Sequence, residues 1–455
     1  MASRVFSRTG LRRTIVVSIP GRHRCPLARY STSVGRTKDT ALPNASGETI
    51  LEKIIVDSIK ATGPIPVSKY MQMCLSHPTE GYYSKGDVFG ARGDFVTSPE
   101  ITQIFGELLG IWLLSRWIAN GKPKRTRLVE LGPGRGTLMD DILRALSHFR
   151  EFKQSFAAVH LVETSQKLRD VQKDKLAERI ASFGSPIDIS WYDRIEDLPR
   201  DGSEYSMVVA HEFFDALPIH ILKKTSEGFR ELFVDLQRSP SLSPTLPSKP
   251  RLGLAVSPVP NVTSAALSSS SKRFDAVPVG HQLEVSPASW TIARAIGELV
   301  SAPGGGAGLI VDYGDARAFE SSFRGFRKHQ IVDVFDQPGC SDLTANVDFA
   351  YLKEALEPVA RSHGPIPQRD FLINLGMGTR LEALLGAAKT EERRADIVSA
   401  AKRLVDPLGM GTQYKVMGIT SRTVGSDSKE EAVFPFSEPA LGTNRGRGEA
   451  EGKSA

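Results

Sequence analysis

The sequence predicts an α/β protein built on a doubly wound, mostly parallel sheet. From Leu128 onward, short apolar runs alternate with longer amphipathic stretches, and strands covered on both faces read as continuous apolar runs. A glycine-rich turn follows the first of these runs, as is typical of the first strand-to-helix connection in such sheets. The predicted strands are 128–131, 159–162, 187–191, 207–210 and 309–311.

Helical spacing precedes and separates these strands. Residues 46–62 repeat isoleucine at helical intervals, with Ser46 or Thr49 as N-cap and Gly63 after the last turn. A second helix is predicted over 99–119, with Ser98 as its N-cap. Further helices are predicted over 138–149 and 166–183. We therefore expect a helical cap with a Gly/aromatic loop over 46–125, and the main domain over 126–420.

Composition excludes several classes of protein. The 455 residues include 40% hydrophobic residues, enough for a sizeable core, and three cysteines without a CxxC pair. A disulfide framework and a metal site built on thiolates are not expected. No run of eighteen apolar residues is present, so no membrane span is predicted.

The net charge of +6 does not indicate a nucleic-acid partner. Residues 1–38 hold nine basic residues and no acidic residue, which leaves about −3 for the rest of the chain. An Arg-rich, acid-free N-terminus is typical of a mitochondrial transit peptide, and we predict one over 1–45. The alternative is a disordered basic tail. The Ser/Pro-rich residues 239–271 are predicted to be a disordered insertion, and 421–455 a disordered tail.

The stretch after the first predicted strand carries the most information. Glu130 lies near the end of the apolar run 128–131, and Gly132, Gly134 and Gly136 follow at G-x-G-x-G spacing before a helix that begins near Leu138. Glycines let the backbone approach a ligand closely, and the helix start offers unpaired N–H groups. Dinucleotide sites normally have G-x-G-x-x-G, and no phosphate-binding P-loop motif is present. The alternative is a plain strand-to-helix turn.

An acid followed by G-x-G-x-G resembles motif I of class I S-adenosylmethionine methyltransferases. The resemblance implies a Rossmann-like fold of that class, with the N-terminal cap and extra substrate-side elements, and S-adenosylmethionine as cofactor. Glu130 would lie near the sulfonium or the methionine ammonium, and the glycines and Thr137 beside the methionyl group. Glu163 ends the second strand, where a carboxylate can accept both ribose hydroxyl protons. Nucleotide-binding sheets place an acid equivalently, so an oxidoreductase remains an alternative.

The loop after the fourth strand begins with His211 and Glu212 and continues through two phenylalanines to Asp215. Ligands of open parallel sheets bind outside the carboxyl ends of the strands, so this loop is expected to face the transferred methyl group. Carboxylates and aromatic faces suit a cationic acceptor such as a guanidinium. We assign His211, Glu212 and Asp215 to catalysis, Glu212 foremost. The alternative is that Asp215 caps a helix, that the phenylalanines belong to the core, and that His211 is a structural hydrogen-bonding residue.

A third segment, residues 81–100, combines glycines, aromatics and polar side chains. Asp94, Thr97, Ser98 and Glu100 are candidates for holding the methionine end of the cofactor. The aromatic residues Tyr82, Tyr83 and Phe95 are candidates for a lid. The alternative is a rigid turn that caps the following helix. Both interpretations are compatible.

Seven stretches together resemble the MidA-type methyltransferases, the mitochondrial respiratory complex I assembly factor family, across about residues 48–420. They are residues 81–83, 93–107, 130–138, 211–218, 284–287, 312–314 and 342–349. The Gly-Asp-Phe-x-Thr-Ser-Pro-Glu stretch and His-Glu-Phe-Phe-Asp-Ala-Leu-Pro are the most specific. The insertion over 239–271 departs from the family pattern.

The resemblance implies a protein-arginine methyltransferase of the mitochondrial matrix that makes symmetric dimethylarginine. Its partner would be the large quinone-module iron–sulfur subunit of complex I, methylated early in assembly. An assembly chaperone that retains the cofactor-binding fold without turnover is the alternative function.

Overall fold

The computed structural model describes residues 47–84, 97–200, 202–237, 251–422 and 432–437. The predicted transit peptide over 1–45 and most of the Gly/aromatic loop lie outside these ranges. Among the residues described, no helix is long and apolar enough to cross a bilayer.

The strands alternate with helices through the middle of the chain. The strands are β1 (Ile65–Pro66), β2 (Thr126–Leu131), β3 (Phe156–Val162), β4 (Asp188–Tyr192), β5 (Tyr205–His211), β6 (His220–Thr225), β7 (Gly228–Gln237), β8 (Arg251–Val256), β9 (Gln282–Val285), β10 (Gly306–Asp315), β11 (Arg324–Arg327), β12 (Gln330–Val332), β13 (Asp342–Thr344), β14 (Val347–Asp348), β15 (Ala360–Pro367) and β16 (Tyr414–Ser421). The helices are α1 (Ile50–Thr62), α2 (Val67–Ser76), α3 (Ser98–Ile101), α4 (Ile104–Ala119), α5 (Thr137–Leu146), α6 (Arg150–Ser155), α7 (Gln166–Ala181), α8 (Val262–Ser268), α9 (Pro287–Val300), α10 (Phe349–Leu356), α11 (Gln368–Asn374), α12 (Met377–Ala387), α13 (Glu391–Val405) and α14 (Met410–Gln413).

The central sheet has the order β15-β16-β10-β5-β2-β3-β4, with β14 beside β10. Strands β4, β3, β2, β5 and β10 are parallel to their neighbours in this row, and β16 is antiparallel to β10 and β15. All five predicted strands lie in this sheet, and the predicted doubly wound parallel arrangement is confirmed. The chain leaves β2 toward β3 and β4 and returns to the other side of β2 as β5. The crevice of such a sheet lies where the order reverses, at the carboxyl ends of β2 and β5.

Helices cover both faces of this sheet, and apolar side chains of its strands therefore point in both directions. Along β2, Leu128 packs into a cluster with α4, α5 and α7. Val129 and Leu131 point the other way, into a cluster with α9 and α10. The alternation follows from the two-residue repeat of a strand.

The N-terminal helices do not form a separate cap. Helices α1 and α2 share a hydrophobic cluster with Ile221, Val234 and Leu252, which belong to a second sheet of order β1-β7-β6-β9 with β8 beside β7. Helix α4 instead belongs to the core of the central sheet. Residues Asn44–Ala455 form one compact unit. The boundary predicted at 125/126 is therefore not a domain boundary.

The helix predicted over 99–119 is broken into α3 and α4. Thr97, not Ser98, holds the N-cap position, and Thr102 interrupts the helix with extended dihedral angles of φ −162° and ψ 143°. Ser98 is the first residue of α3, and its backbone hydrogen-bonds the carboxylate of Glu212. A contact made across the fold thus overrides the local capping signal.

The prediction of disorder over 239–271 is wrong for residues 251–271. Strand β8 pairs with β7 through six residues, and the Asn261 side chain caps α8 in a reciprocal capping box with Ser264. The Asn261 amide also donates to Glu231 on β7, at 2.8 Å. The serine and proline content concealed these local signals. Residues 239–250 lie outside those described.

The predicted disordered tail is likewise wrong for residues 432–437. Val433 is buried, and the ring centroid of Phe436 lies 6.0 Å from that of Trp112. This short segment therefore contributes apolar contacts to the core beside α4.

Two point variants test the packing of β8. Leu252 is 9% exposed and belongs to the α1–α2 cluster, whereas Val256 on the same strand is 43% exposed. Leu252→Ala is expected to lower the free energy of unfolding by about 2 kcal/mol, because it removes buried methyl groups. Val256→Ala, the matched control, should change it by less than about 0.5 kcal/mol. Chemical denaturation measures both, and equal small effects would mean that β8 adds nothing to the core.

Candidate active site

A cavity of about 1010 Å³ opens at the carboxyl ends of β2, β3, β4 and β5. It brings together most of the residues predicted from three separate stretches of sequence. The predicted residues that line it are Thr97, Glu100, Glu130, Gly132, Gly134, Thr137, Glu163, His211, Glu212 and Asp215. Ser98 and Gly136 were also predicted, but they are not among the residues that line the cavity. The position agrees with the rule for open parallel sheets.

The glycine turn after β2 adopts backbone angles that favour glycine. Gly132, Gly134 and Gly136 have φ of 65°, 52° and 78°. A Cβ atom on Gly132 would lie 2.8 Å from the ring of Phe213, so no larger residue fits there. Gly136 is the N-cap of α5, directed away from the cavity toward Gln172. The turn thus brings backbone without a side chain to the cavity at Gly132 and Gly134.

Glu130 presents a buried carboxyl group to the cavity. It is 2% exposed, and one of its oxygens, Oε2, has no hydrogen-bond partner. Burial raises the pKa of this carboxyl to about 8. An unpaired buried carboxyl is costly, and a cationic ligand group beside it would remove that cost.

Glu163 lies directly after β3, where the sequence predicted a ligand carboxylate. Its Oε1 accepts the Ser165 N–H at 2.7 Å, and burial raises its pKa. Gln172 of α7 is a neighbour that the sequence analysis missed. The Gln172 amide donates to the carbonyl of Gly134 at 2.8 Å, and its oxygen accepts the indole N–H of Trp191 at 2.8 Å. A glutamine within a polar helix gives no sequence signal for this role.

Short α3 ties the N-terminal segment to the glycine turn. The Thr137 hydroxyl donates to Glu100 at 2.6 Å, and Lys175 donates to the same hydroxyl at 2.8 Å. Ser98 is fully buried and its hydroxyl has no partner. Thr97 and Glu100 therefore lie at the cavity, while Ser98 contacts the other end of the site through Glu212.

Glu212 is the most constrained residue of the site. It directly follows β5 with φ +47°, a left-handed conformation rare outside glycine. Its N–H donates to the carbonyl of Val311 at 3.0 Å, which holds the turn against β10. Burial raises the pKa of its carboxyl to about 8, although hydrogen bonds from the Tyr414 hydroxyl and Ser98 oppose the shift. Its Oε1 has no partner.

Asp215 lies three residues further along the same loop. In the described chain no helix begins at Asp215, because residues 216–219 lead directly into β6. The predicted alternative, in which Asp215 caps a helix, is therefore wrong. The Tyr313 hydroxyl donates to its Oδ2, while its Oδ1 has no partner. Burial raises the pKa of Asp215 to about 6.

Asp312 holds this loop in shape, and the sequence singled it out only as part of the family-like stretch 312–314. Its Oδ2 accepts the backbone N–H groups of Phe213, Phe214 and Asp215 at 3.0 to 3.3 Å. Burial and the nearby acids raise its pKa well above the ordinary value. An acid directly after the apolar run 309–311 was the available signal, the same one that identified Glu212.

His211 ends β5 as a neutral side chain. Burial lowers its pKa to about 3, and its ring centroid lies 4.9 Å from that of Phe105. Its Nε2 lies 3.4 Å from Glu212 Oε1. Phe214 is core, as expected of at least one of the two phenylalanines, and Phe213 lines the cavity.

Tyr83 and Asp342 close the same end of the cavity. The Tyr83 hydroxyl donates to Asp342 Oδ1 at 2.9 Å, joining residues far apart in the chain. Among the described residues that line the cavity, carboxylates outnumber cations. The acids are Glu100, Glu130, Glu163, Asp193, Glu196, Glu212, Asp215 and Asp342, and the cations are Arg135 and Arg194. This charge favours cationic ligands.

The sheet, the glycine turn and the acidic cavity define a class I methyltransferase fold. The family model described as "Putative S-adenosyl-L-methionine-dependent methyltransferase" matches residues 108–366. A Burkholderia thailandensis structure solved with S-adenosyl-homocysteine superimposes with a TM-score of 0.68 at 24% identity, covering 84% of this chain and 95% of that chain. This structural likeness supports the fold.

Curated relatives are similar over most of the chain. The Xenopus tropicalis protein is 38% identical over 91% of this chain and 94% of its own length, and the Homo sapiens protein is 41% identical over 79% and 81%. Both are named "Protein arginine methyltransferase NDUFAF7, mitochondrial". The chain therefore belongs to this family of S-adenosyl-L-methionine-dependent methyltransferases. The predicted family, cofactor and mitochondrial location are confirmed, and the oxidoreductase alternative is wrong.

Proposed function

We propose that the chain transfers methyl groups from S-adenosylmethionine to an arginine side chain of a protein. One observation carries the proposal: two neighbouring buried carboxyl groups, Glu212 and Asp215, each have one oxygen without a partner beside the cavity. A guanidinium offers five N–H donors in a fixed fork and keeps its charge at physiological pH. It satisfies such a pair better than a neutral or anionic acceptor does.

The residues at the other end of the cavity fit the cofactor. The glycine turn, Thr137 and Glu130 would hold the methionyl part, with the unpaired carboxyl of Glu130 toward its positive charge. Glu163 would accept the ribose hydroxyl protons. When bound, S-adenosylmethionine supplies an electrophilic methyl group.

The acceptor nitrogen must be oriented and must lose a proton. Tyr414 and Tyr313 fix one oxygen of Glu212 and one of Asp215, so that the open oxygens point in defined directions. As the new N–C bond forms, the nitrogen releases a proton, and the Glu212 carboxylate is the group we assign to accept it. The ring of Phe213 helps to exclude water from the acceptor.

Activity should depend on pH through Glu212. Since burial raises its pKa to about 8, the group is mostly protonated, and unable to pair with a guanidinium, at lower pH. We expect kcat/KM for the acceptor to rise about tenfold per pH unit up to about pH 8 and then to level off. Steady-state methylation between pH 6.5 and 9 measures this. A flat profile over that range would remove Glu212 from the reaction.

Glu163→Ala tests the ribose contact. Charge-assisted hydrogen bonds are worth about 1.5–3 kcal/mol, so affinity for S-adenosylmethionine should fall about tenfold to a hundredfold. Asp170→Ala, on the exposed face of α7, is the matched control and should bind normally. Calorimetry gives both dissociation constants. An unchanged value for Glu163→Ala would mean that this carboxylate does not contact the cofactor.

We further propose that the acceptor is the large quinone-module iron–sulfur subunit of mitochondrial complex I, methylated in the matrix to symmetric dimethylarginine. The family resemblance implies this target, and the names of the relatives support arginine methylation by a mitochondrial protein. The test is calorimetry with S-adenosylmethionine, followed by mass spectrometry of arginine methylation in mitochondria that lack the protein. A variant that binds the cofactor but cannot transfer methyl groups distinguishes the catalytic function from the chaperone function. Full rescue of complex I assembly by that variant would favour the chaperone function.

A further inference from the structure

Two of the stretches that resemble the family, 284–287 and 342–349, contain polar residues with no role in the site described above. Glu284 of β9 is buried, and its Oε1 accepts the N–H groups of Ser322 and Phe323 at 2.8 and 3.1 Å. The Ser322 hydroxyl donates to the other oxygen of Glu284 and accepts the N–H of Asn346 at 2.8 Å. These bonds fix residues 322–323 against Asn346.

Arg324 follows directly and is held by the same two residues. Its Nη1 donates to Asn346 Oδ1 at 2.8 Å and to the carbonyl of Ser322 at 2.9 Å. Its guanidinium carbon lies 5.0 Å from the ring centroid of Tyr313, a cation–π distance. Nη1 is therefore held at Asn346 and Ser322, while the guanidinium carbon lies over the ring of Tyr313.

Tyr313 connects this arginine to the acceptor carboxylates, because its hydroxyl donates to Asp215. The surroundings of Asp215 are otherwise acidic. The groups that interact electrostatically with Asp215 are Glu212, Asp312, Tyr83, Tyr313, Tyr414 and Arg324. Asp342 is bonded to Tyr83 and contributes a further negative charge nearby.

We propose that Arg324 is a positioning residue for methyl transfer: it offsets the negative charge around Asp215 and fixes the Tyr313 ring, so that Asp215 is ionised when the acceptor cation arrives. This inference rests on the proposed function of Glu212 and Asp215. Closely spaced buried carboxylates do not all ionise unless a fixed positive charge lies near them. Arg324 supplies that charge without occupying the acceptor position, since it does not line the cavity and its Nη1 is bonded to Asn346 and Ser322.

Arg324→Met removes the charge and keeps much of the length. With Arg324 present, the pKa of Asp215 is raised only to about 6. In the variant it should rise by about one further unit. The wild-type profile of kcat/KM should steepen below about pH 6, where Asp215 also takes up a proton. In Arg324→Met, this break should move to about pH 7, with cofactor affinity unchanged.

Two further variants control the experiment. Arg324→Lys keeps the charge, so the break should return to within about 0.3 unit of the wild-type position. Arg327→Met is the matched control, because Arg327 ends the same strand but contacts Asp336 and Gln337 instead. It should leave the profile unchanged.

A second readout needs no acceptor. Asp215 has a folded pKa above its ordinary value, so the folded protein binds the extra proton and loses stability as pH rises toward that pKa. The deficit in Tm of Arg324→Met relative to wild type should therefore widen between pH 6 and 7, while that of Arg327→Met stays constant.

The two readouts distinguish the two proposals. A widening deficit in Tm without arginine methylation would support the electrostatic effect of Arg324 on Asp215 and contradict the proposed function. Coincident pH profiles and a constant deficit in Tm for Arg324→Met would overturn the inference. If Arg324→Met does not fold, an Arg324→Lys profile displaced by one unit would also overturn it.

Discussion

Glu212→Gln is expected to bind S-adenosylmethionine normally and to transfer methyl groups at least about a hundredfold more slowly. The amide has nearly the shape of the carboxyl group, so the hydrogen bonds from Tyr414 and Ser98 and the left-handed turn are expected to survive in large part. The variant loses the negative charge that pairs with the acceptor and the group that accepts its proton. A factor of a hundred corresponds to about 2.7 kcal/mol of transition-state stabilisation, a normal value for one well-placed charge.

The measurement is a methylation assay on the purified acceptor subunit, with calorimetry of cofactor binding in parallel. Glu231→Gln is the matched control, because Glu231 is also a buried carboxylate but bonds His220 and Asn261 and does not line the cavity. It should methylate at close to the wild-type rate once its fold is verified. If Glu212→Gln were equally active, the loop after β5 would be structural, and Glu100 would be the next candidate.

Gly134→Val is expected to abolish measurable cofactor binding, a loss of at least about a hundredfold in affinity. Gly134 has φ +52° and lines the cavity, so a branched side chain would both strain the turn and fill space at the backbone surface. The carbonyl of Gly134 is also held by Gln172, which limits how far the turn can move aside.

Gly184→Val separates the effect of backbone strain from the effect of a side chain that fills the cavity. Gly184 has φ +72°, and a Cβ atom there would meet nothing within 4 Å, so the control has comparable backbone strain without a ligand surface. We expect it to lose some stability and to keep cofactor affinity. Calorimetry measures the cofactor affinity of both variants, and thermal unfolding measures their stability. Affinity of Gly134→Val within a few-fold of wild type, with an intact fold, would contradict the placement of the cofactor.

Local sequence signals were sufficient to predict those elements whose own residues determine their structure. The parallel strands of the central sheet were predictable because each contains a short apolar run, and the glycine turn was predictable because its spacing is characteristic. Glu130, Glu163 and Glu212 were predictable because each follows or ends an apolar run. A charged residue at such a point lies at the carboxyl edge of the sheet whatever the rest of the fold does.

Other residues of the site depend on contacts between distant segments. Gln172 lies in a polar helix, and Tyr414 begins an antiparallel strand near the end of the chain. The neighbouring sequence does not show that Gln172 supports the glycine turn or that Tyr414 bonds Glu212. Strand β8 was missed for a related reason. Its serine- and proline-rich neighbourhood predicted disorder, whereas its order comes from pairing with β7.

The left-handed backbone at Glu212 affects which substitutions at this position would stabilise the fold. A non-glycine residue in that conformation costs of order 1 kcal/mol, and burying its carboxyl group adds to the cost. Glycine or asparagine at this position would relieve the strain, so folding stability alone favours replacement of the acid. A lineage that kept the protein only as a binding partner for assembly would be free to lose Glu212. If Glu212 has the role proposed here, retention of the acid is the expected mark of selection for chemistry, and its loss in a homologue would identify a chain that has become a scaffold.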